Sequence, residues 1–128
     1  MPDSPAPQRT VLIVDDEDVI RDLLADVVSD RGYRVLTAAS GKDAIAIVKA
    51  EKKAVNLVVL DMLMPDLDGR QTYEQMKQIV PDLHVLVATG FGREDVARGL
   101  MELGIRGVVS KPFHIEDLLT LIDSHVGS

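Results

Sequence analysis

The chain contains five short runs of apolar residues, and a segment with helical periodicity follows each run. Continuous apolar runs of this length, rich in β-branched residues, are typical of strands that are buried on both faces. The runs lie at residues 10–14, 34–38, 56–61, 84–88 and 107–110. Strands that alternate with helices in this way predict a parallel sheet covered by helices on both faces.

The helical segments narrow the choice of architecture. Apolar residues recur at helical spacing from residue 19 to the turn at residues 31–32. The same pattern occurs at residues 41–53, 70–79, 93–103 and 114–125. A chain of 128 residues supports one domain, and five β/α units are too few for an eight-stranded barrel. We therefore predict an α/β fold with an open, doubly wound, five-stranded parallel sheet in the order 2-1-3-4-5.

Polar residues stand at the ends of four predicted strands. Asp15 and Asp16 follow the first strand, Asp61 ends the third, Thr89 follows the fourth and Lys111 follows the fifth. Because the first and third strands are neighbours in this order, the three carboxylates converge at one edge of the sheet. Two carboxylates about 5 Å apart repel by about 3 kcal/mol at an effective dielectric of about 20, so the cluster favours a bound cation. An all-oxygen site suits Mg²⁺ together with a phosphate oxygen of a substrate, and therefore indicates phosphoryl transfer.

The composition excludes several other kinds of site. The chain has no cysteine, so a disulfide framework, a thiolate zinc site and a cysteine nucleophile are all excluded. A formal net charge of −7 without an evident basic patch argues against direct binding of nucleic acid or anionic lipid. His84, His114 and His125 lack a shared metal-ligand spacing, and we interpret them as surface or satisfied residues.

The two ends of the chain differ from its centre. Residues 1–9 contain three prolines and no apolar run, which predicts a flexible tail and neither a signal peptide nor a membrane span. We assign residues 10–125 to the folded domain and residues 126–128 to a short C-terminal end. On these grounds we expect a soluble domain in the cytoplasm.

Four motifs occur in order along the chain: the acidic pair Asp15-Asp16, Asp61 with the downstream segment 64–69, Thr89-Gly90, and Lys111-Pro112-Phe113. In the order and spacing of these motifs the chain resembles the receiver domain of two-component response regulators, over nearly the whole length from residue 10 to residue 125. The resemblance implies a flavodoxin-like (βα)5 fold and a phosphorelay function. It also implies a partner, either a histidine kinase or a histidine phosphotransfer domain, and a possible downstream effector protein.

The resemblance implies a role for each matching residue. Asp61 would be the phosphoacceptor, a carboxylate nucleophile that becomes an aspartyl phosphate. Asp15 and Asp16 would bind Mg²⁺ together with Asp61 and the backbone carbonyl of Leu63. Thr89 would donate a hydrogen bond to the phosphoryl group. Lys111 would place its ammonium group on the phosphoryl oxygens.

Three positions depart from the usual receiver pattern or determine how long the phosphoryl group lasts. In the family that the chain resembles, the residues two positions after the phosphoacceptor and two after the conserved Thr or Ser flank the path of the attacking water. Here they are Leu63 and Phe91, which cannot orient water and can exclude it, so we predict slow dephosphorylation. Val108 stands where many receivers carry a Tyr or Phe whose ring moves on activation. We therefore expect the residues from Gly90 to Leu103, which include the fourth predicted helix, to carry the switch without obligatory dimerisation through the last helix.

Two other functions remain as alternatives. A metal-dependent phosphohydrolase of the haloacid-dehalogenase type also uses an aspartyl nucleophile, but Leu63 stands where such enzymes carry their general acid. A flavodoxin-like mononucleotide binder would need a hydroxyl- or glycine-rich phosphate loop, whereas residues 15–18 are four consecutive acids. The sequence is compatible with a single-domain regulator and equally with a module of a hybrid kinase or of a longer regulator.

Overall fold

The structure, a computed structural model, describes residues 9–52, 54–62, 69–89, 98–99, 101–110 and 114–126. The strands are β1 (Thr10–Val14), β2 (Arg34–Ala38), β3 (Val55–Asp61), β4 (His84–Thr89) and β5 (Gly107–Ser110). The helices are α1 (Asp18–Asp30), α2 (Gly41–Ala50), α3 (Gly69–Ile79) and a C-terminal helix (Ile115–Val126). None of the helices in the described residues is long and apolar enough to cross a membrane.

The five strands form one parallel sheet in the order β2-β1-β3-β4-β5, which confirms the predicted fold class and strand order. Val14 at the end of β1 is paired with Leu60 of β3, and Asp61 is paired with Ala88 of β4. The carboxyl ends of β1, β3 and β4 therefore lie side by side, as the sequence predicted.

The hydrophobic core lies in two layers, one on each face of the sheet. Alternate residues of β1 supply both layers, because Leu12 and Val14 face one cluster while Val11 and Ile13 face the other. All four side chains are at most 1% exposed. A strand buried on both faces has no room for polar alternation, which explains why the strands appear in the sequence as continuous apolar runs.

Two predicted helices extend further along the sequence than the observed ones. The second helix ends at Ala50 instead of residue 53, because Glu51 leaves the helical conformation and its carbonyl accepts hydrogen bonds from the backbone N–H groups of Ala54 and Val55. This turn starts β3 one residue earlier than predicted. Of the fourth predicted helix, residues 98–99 and 101–103 are described. Residues 98–99 and 101–102 are helical, whereas Leu103 lies in a turn, so the helix ends one residue earlier than predicted.

A polar cluster ties the turn after α1 to the C-terminal helix. The Tyr33 hydroxyl donates a hydrogen bond of 2.5 Å to Asp123, and the Arg31 guanidinium lies 2.7 Å from the same carboxylate. Burial and the hydrogen bond to Asp123 raise the pKa of Tyr33 to about 12, while the hydrogen bond from Tyr33 and the charge of Arg31 lower the pKa of Asp123. The cluster joins two segments that are distant in the sequence.

His84 differs from its interpretation as a surface or satisfied residue. Its Nδ1 atom is buried and has no hydrogen-bond partner within the described part of the chain. Burial, followed by the nearby charge of Arg106, lowers the pKa of His84. The ring packs edge-to-face on His125 with 6.2 Å between the ring centroids, so the two histidines are in contact although their spacing in the sequence did not suggest it.

Candidate functional site

Three carboxylates meet at the carboxyl ends of β1 and β3. One oxygen each from Asp15, Asp16 and Asp61 lies within 4.8 Å of the other two. Asp15 and Asp61 are buried, at 3% and 7% exposure, whereas Asp16 is exposed to solvent. The sequence predicted this convergence from the strand order alone, and the structure places the three residues together.

The electrostatics of this cluster favour a cation. Two ionised carboxylates at this separation repel by about 3 kcal/mol at an effective dielectric of about 20, and burial of two of the three groups reduces screening by water. The donors are all oxygen atoms, which are the ligands that Mg²⁺ and other hard cations prefer. The exposed Asp16 leaves one side of the cluster open to solvent. The residues therefore fit a divalent cation that keeps positions free for water or a phosphate oxygen.

The turn that carries Asp15 and Asp16 is closed by three hydrogen bonds. The backbone N–H of Glu17 donates to Oδ1 of Asp15 at 2.9 Å, and the N–H of Arg21 donates to the carbonyl of Glu17 at 2.9 Å. The guanidinium of Arg21 returns to the start of the turn and donates to the carbonyl of Asp15 at 2.8 Å. These contacts hold the backbone between β1 and α1 in one conformation.

Arg21 is the site neighbour that sequence reasoning missed. The sequence shows it as one charged residue within the helical pattern of α1. Its side chain is only 16% exposed, however, and also pairs with Asp18. The available signal was its position on the second turn of α1, close enough to the end of β1 for a long side chain to reach back.

Thr89 lies next to the carboxylates, at the end of the neighbouring strand. It is 2% exposed and follows Ala88, the residue that is paired with Asp61. The carbonyl of Ala88 also accepts a hydrogen bond of 3.1 Å from the N–H of Met62, which keeps β3 and β4 paired just beyond Asp61. The Thr89 hydroxyl is therefore on the strand adjacent to the candidate nucleophile.

A close contact between Met62 and Gly69 closes the chain segment that follows Asp61. The N–H of Gly69 donates to the carbonyl of Met62 at 3.0 Å. A Cβ atom at position 69 would lie 2.9 Å from the Met62 Cα and 2.6 Å from its sulfur, so only glycine permits this approach. The start of α3 is thus packed directly against the residue after Asp61.

A second contact of α3 reaches the turn before β5. The Tyr73 hydroxyl donates a hydrogen bond of 2.9 Å to the carbonyl of Leu103, and burial raises the pKa of Tyr73. Gly104, the next residue, has a φ of +111°, a conformation that favours glycine. Leu103, which directly follows the helical residues 101–102, is therefore fixed on α3.

Several positions named from the sequence lie outside the described residues. They are Leu63, the segment 64–68, Gly90, Phe91, Lys111, Pro112 and Phe113. The other site residues, Asp15, Asp16, Asp61 and Thr89, all lie at the same edge of the sheet. Val108 lies within β5, is partly buried and contacts the hydrophobic core.

Comparisons with known proteins agree with this geometry. A family model described as "Response regulator receiver domain" matches residues 11–123. The chain is 35% identical over 116 residues to the sporulation initiation phosphotransferase F of Bacillus subtilis, a match that covers 91% of this chain and 92% of the relative. Among solved structures, a response regulator receiver domain protein from Clostridium thermocellum matches with a TM-score of 0.89 and 29% identity, covering 93% of this chain and 94% of that one.

A further solved structure that matches this chain contains BeF3 and Mg+2: it is a CheX-CheY-BeF3-Mg+2 complex from Borrelia burgdorferi. The matched chain in it is 25% identical to this chain, with a TM-score of 0.85. The match covers 91% of this chain and 87% of that chain.

Proposed function

Because this chain belongs to the response regulator receiver domain family of two-component signalling, we propose that it accepts a phosphoryl group on Asp61 from a partner histidine kinase or histidine phosphotransfer domain. The observation that carries the proposal is the convergence of Asp15, Asp16 and Asp61 within 4.8 Å. A carboxylate nucleophile beside two further carboxylates is suited to transfer that depends on a divalent cation.

In the proposed reaction, an oxygen of Asp61 attacks the phosphorus of a phosphohistidine. The new O–P bond forms as the P–N bond breaks, and the electron pair of that bond remains on the histidine nitrogen, which takes a proton from solvent. The product is an aspartyl phosphate on this chain. Mg²⁺ would be held by Asp15, Asp16 and Asp61, with the carbonyl of Leu63 as a further ligand, and would neutralise the charge of the phosphoryl oxygens.

Two further residues complete the proposed machinery. Thr89 is buried beside Asp61 and would donate its hydroxyl hydrogen bond to the phosphoryl group, so that its position reports phosphorylation. Lys111 would contact the phosphoryl oxygens through its ammonium group. The role of Lys111 rests on the family resemblance, because the residue lies outside the described part of the chain.

We propose a signalling phosphoacceptor and not an enzyme that turns over an external substrate. Leu63 stands two residues after Asp61, where a phosphohydrolase of the haloacid-dehalogenase type would need a general acid, and leucine supplies no proton. The apolar side chains of Leu63 and Phe91 would also exclude the water that hydrolyses the aspartyl phosphate. We therefore expect a long-lived phosphorylated state. We also propose that the domain is cytoplasmic.

Phosphorylation assays with and without metal test this proposal. We expect a small phosphodonor such as acetyl phosphate to label the chain in the presence of Mg²⁺, and we expect a chelator to abolish the label. Mass spectrometry would detect the added phosphoryl group, and its decay after removal of the donor would give the lifetime. Labelling that is unchanged by chelation would contradict the metal dependence, and loss within seconds would contradict the exclusion of water.

The output step of the proposal is a shift of the residues from Gly90 to Leu103. Val108 has a stiff side chain and no ring to relocate, so it offers no aromatic switch. The hydrogen bond between Tyr73 and Leu103 fixes the far end of the segment, so movement at Thr89 would be taken up between these two points.

Amide hydrogen exchange tests the output step. With beryllofluoride and Mg²⁺ as a phosphoryl mimic, we expect the largest change in protection within residues 90–103 and little change in α2. Changes confined to other segments, or a tight dimer that forms through the C-terminal helix on addition of the mimic, would refute this part of the proposal.

A further inference from the structure

Arg21 connects α1 to the residue that begins the acidic turn. Its guanidinium donates to the Asp15 carbonyl at 2.8 Å, while its own backbone N–H donates to the Glu17 carbonyl at 2.9 Å. The Glu17 N–H in turn donates to Oδ1 of Asp15 at 2.9 Å. These bonds link Asp15, Glu17 and Arg21 in a closed ring, which we call the Arg21 ring, and Asp16 lies within it.

We propose that Arg21 is a positioning residue for the cation site, acting through the backbone of Asp15. This inference rests on the proposed function, because it concerns the same carboxylates. The Asp15 carbonyl lies just beyond the last paired residues of β1 and β2, Val14 and Ala38. The guanidinium therefore connects the end of the sheet to the turn, and in this proposal it limits the conformations from which the carboxylates of Asp15 and Asp16 reach a cation.

Burial and chemistry distinguish Arg21 from an ordinary surface arginine. The Arg21 side chain is 16% exposed, whereas the Asp18 side chain with which it pairs is 80% exposed. An ion pair with so exposed a partner contributes little by itself. The hydrogen bond to the Asp15 carbonyl depends on the planar guanidinium, whose donors point in fixed directions. Lysine would keep the charge of Arg21 but not this planar arrangement of donors.

The positive charge of Arg21 and its positioning role have opposite effects on cation binding. A cation beside three carboxylates repels Mg²⁺, so removal of the charge alone would strengthen Mg²⁺ binding. Removal of the hydrogen bond would let the turn sample other conformations and would weaken binding. Contacts that orient metal ligands typically change metal affinity by about 10- to 100-fold, and we expect a value of about 10-fold here because Arg21 contacts the backbone.

The test measures Mg²⁺ affinity for the wild type and for Arg21→Ala, Arg21→Gln and Arg21→Lys. The chain has no tryptophan, so NMR shifts of the amides near Asp16 and Asp61, or calorimetry, would follow the titration. We expect the dissociation constant to rise by about 10-fold for Arg21→Ala, with a smaller rise for the lysine variant, which keeps the charge and one possible donor.

A matched control removes a charge away from the site. Arg34 lies at the start of β2, at the end of the strands that is opposite to the carboxylate cluster. It pairs with Glu51 at 3.3 Å, and both side chains are partly exposed. We expect Arg34→Ala to leave the Mg²⁺ dissociation constant within about 2-fold of the wild-type value, since screening is strong over that distance. Tighter binding in Arg21→Ala and Arg21→Gln, or unchanged affinity in all three Arg21 variants, would overturn the positioning role.

A measurement without metal separates this inference from the proposed function. The Glu17 N–H donates a hydrogen bond to Asp15, and we expect its hydrogen exchange to become faster in all three Arg21 variants while amides in β1 keep their wild-type rates. If the wild type binds no Mg²⁺, the proposed function fails but this comparison still decides whether Arg21 orders the turn. Unchanged exchange at Glu17 would overturn the inference even if Mg²⁺ binds.

Discussion

Asp61→Asn is expected to lower phosphorylation of the chain by more than about 1,000-fold, as loss of a covalent nucleophile does in enzymes. Asparagine has nearly the same shape as aspartate, but its amide is a poor nucleophile towards phosphorus. Asp61 is 7% exposed and pairs with Ala88 within the sheet, so a substitution of equal size leaves the packing in place. Mass spectrometry after incubation with acetyl phosphate and Mg²⁺ would measure the effect.

Two controls make this result interpretable. Asp22→Asn, at an exposed position of α1, makes the same change in charge away from the carboxylate cluster and is expected to be phosphorylated like the wild type. In the absence of Mg²⁺, Asp61→Asn should be at least as stable to urea as the wild type, because it removes repulsion with Asp15. Labelling of Asp61→Asn at the wild-type rate would show that another residue accepts the phosphoryl group.

Gly69→Ala should both destabilise the fold and slow phosphorylation. The new Cβ atom would lie 2.9 Å from the Met62 Cα, so the backbone next to Asp61 has to shift. Overpacking of this kind typically costs about 1–3 kcal/mol in the free energy of unfolding. We expect a loss within that range in urea unfolding, and a phosphorylation rate about 10-fold lower, in line with the sensitivity of reaction rates to small displacements of reacting groups.

Gly99→Ala is the matched control for this substitution. Among the described residues outside its own helix, a Cβ atom at position 99 meets no atom within 4 Å, and alanine in a helix is favoured over glycine by up to about 1 kcal/mol. This variant should therefore be as stable as the wild type or more stable, with normal phosphorylation. The double variant Met62→Ala and Gly69→Ala removes the sulfur contact but keeps the backbone contact, and its phosphorylation should stay slow. Full recovery in the double variant would show that the side chain of Met62, and not its backbone, requires glycine at position 69.

The strands and the carboxylate cluster could be predicted from the sequence because both depend on simple rules. Strands buried on both faces appear as continuous apolar runs, and all five were predicted within one residue of their observed ends. The order of the strands then brings Asp15 and Asp61 to neighbouring positions. Neither prediction requires the direction of any single side chain.

Two contacts that sequence reasoning missed depend on the direction of a single side chain. The bond from Arg21 to the Asp15 carbonyl requires a particular path of the side chain back along α1. The contact of Tyr33 with Asp123 joins residues that are 90 positions apart in the sequence, and no pattern in the sequence relates them. The early end of α2 has a different cause, a backbone turn at Glu51 that replaces a further turn of helix. The residues of this segment are compatible with a helix and with a turn.

The parallel order of the sheet also means that the proposed phosphorylation of Asp61 would occur only in molecules whose sheet has formed. β1 lies between β2 and β3, so a chain that has paired only β1 with β2 contains Asp15 and Asp16 but has not yet placed Asp61 beside them. Pairings between strands far apart in the sequence carry a larger entropic cost than local ones, and they limit how fast such sheets form. Thr89 joins the site only when β4 has paired with β3. Under the proposed function, a partner kinase would therefore phosphorylate only molecules that have assembled these strands, and partly folded or damaged copies would not transmit the signal.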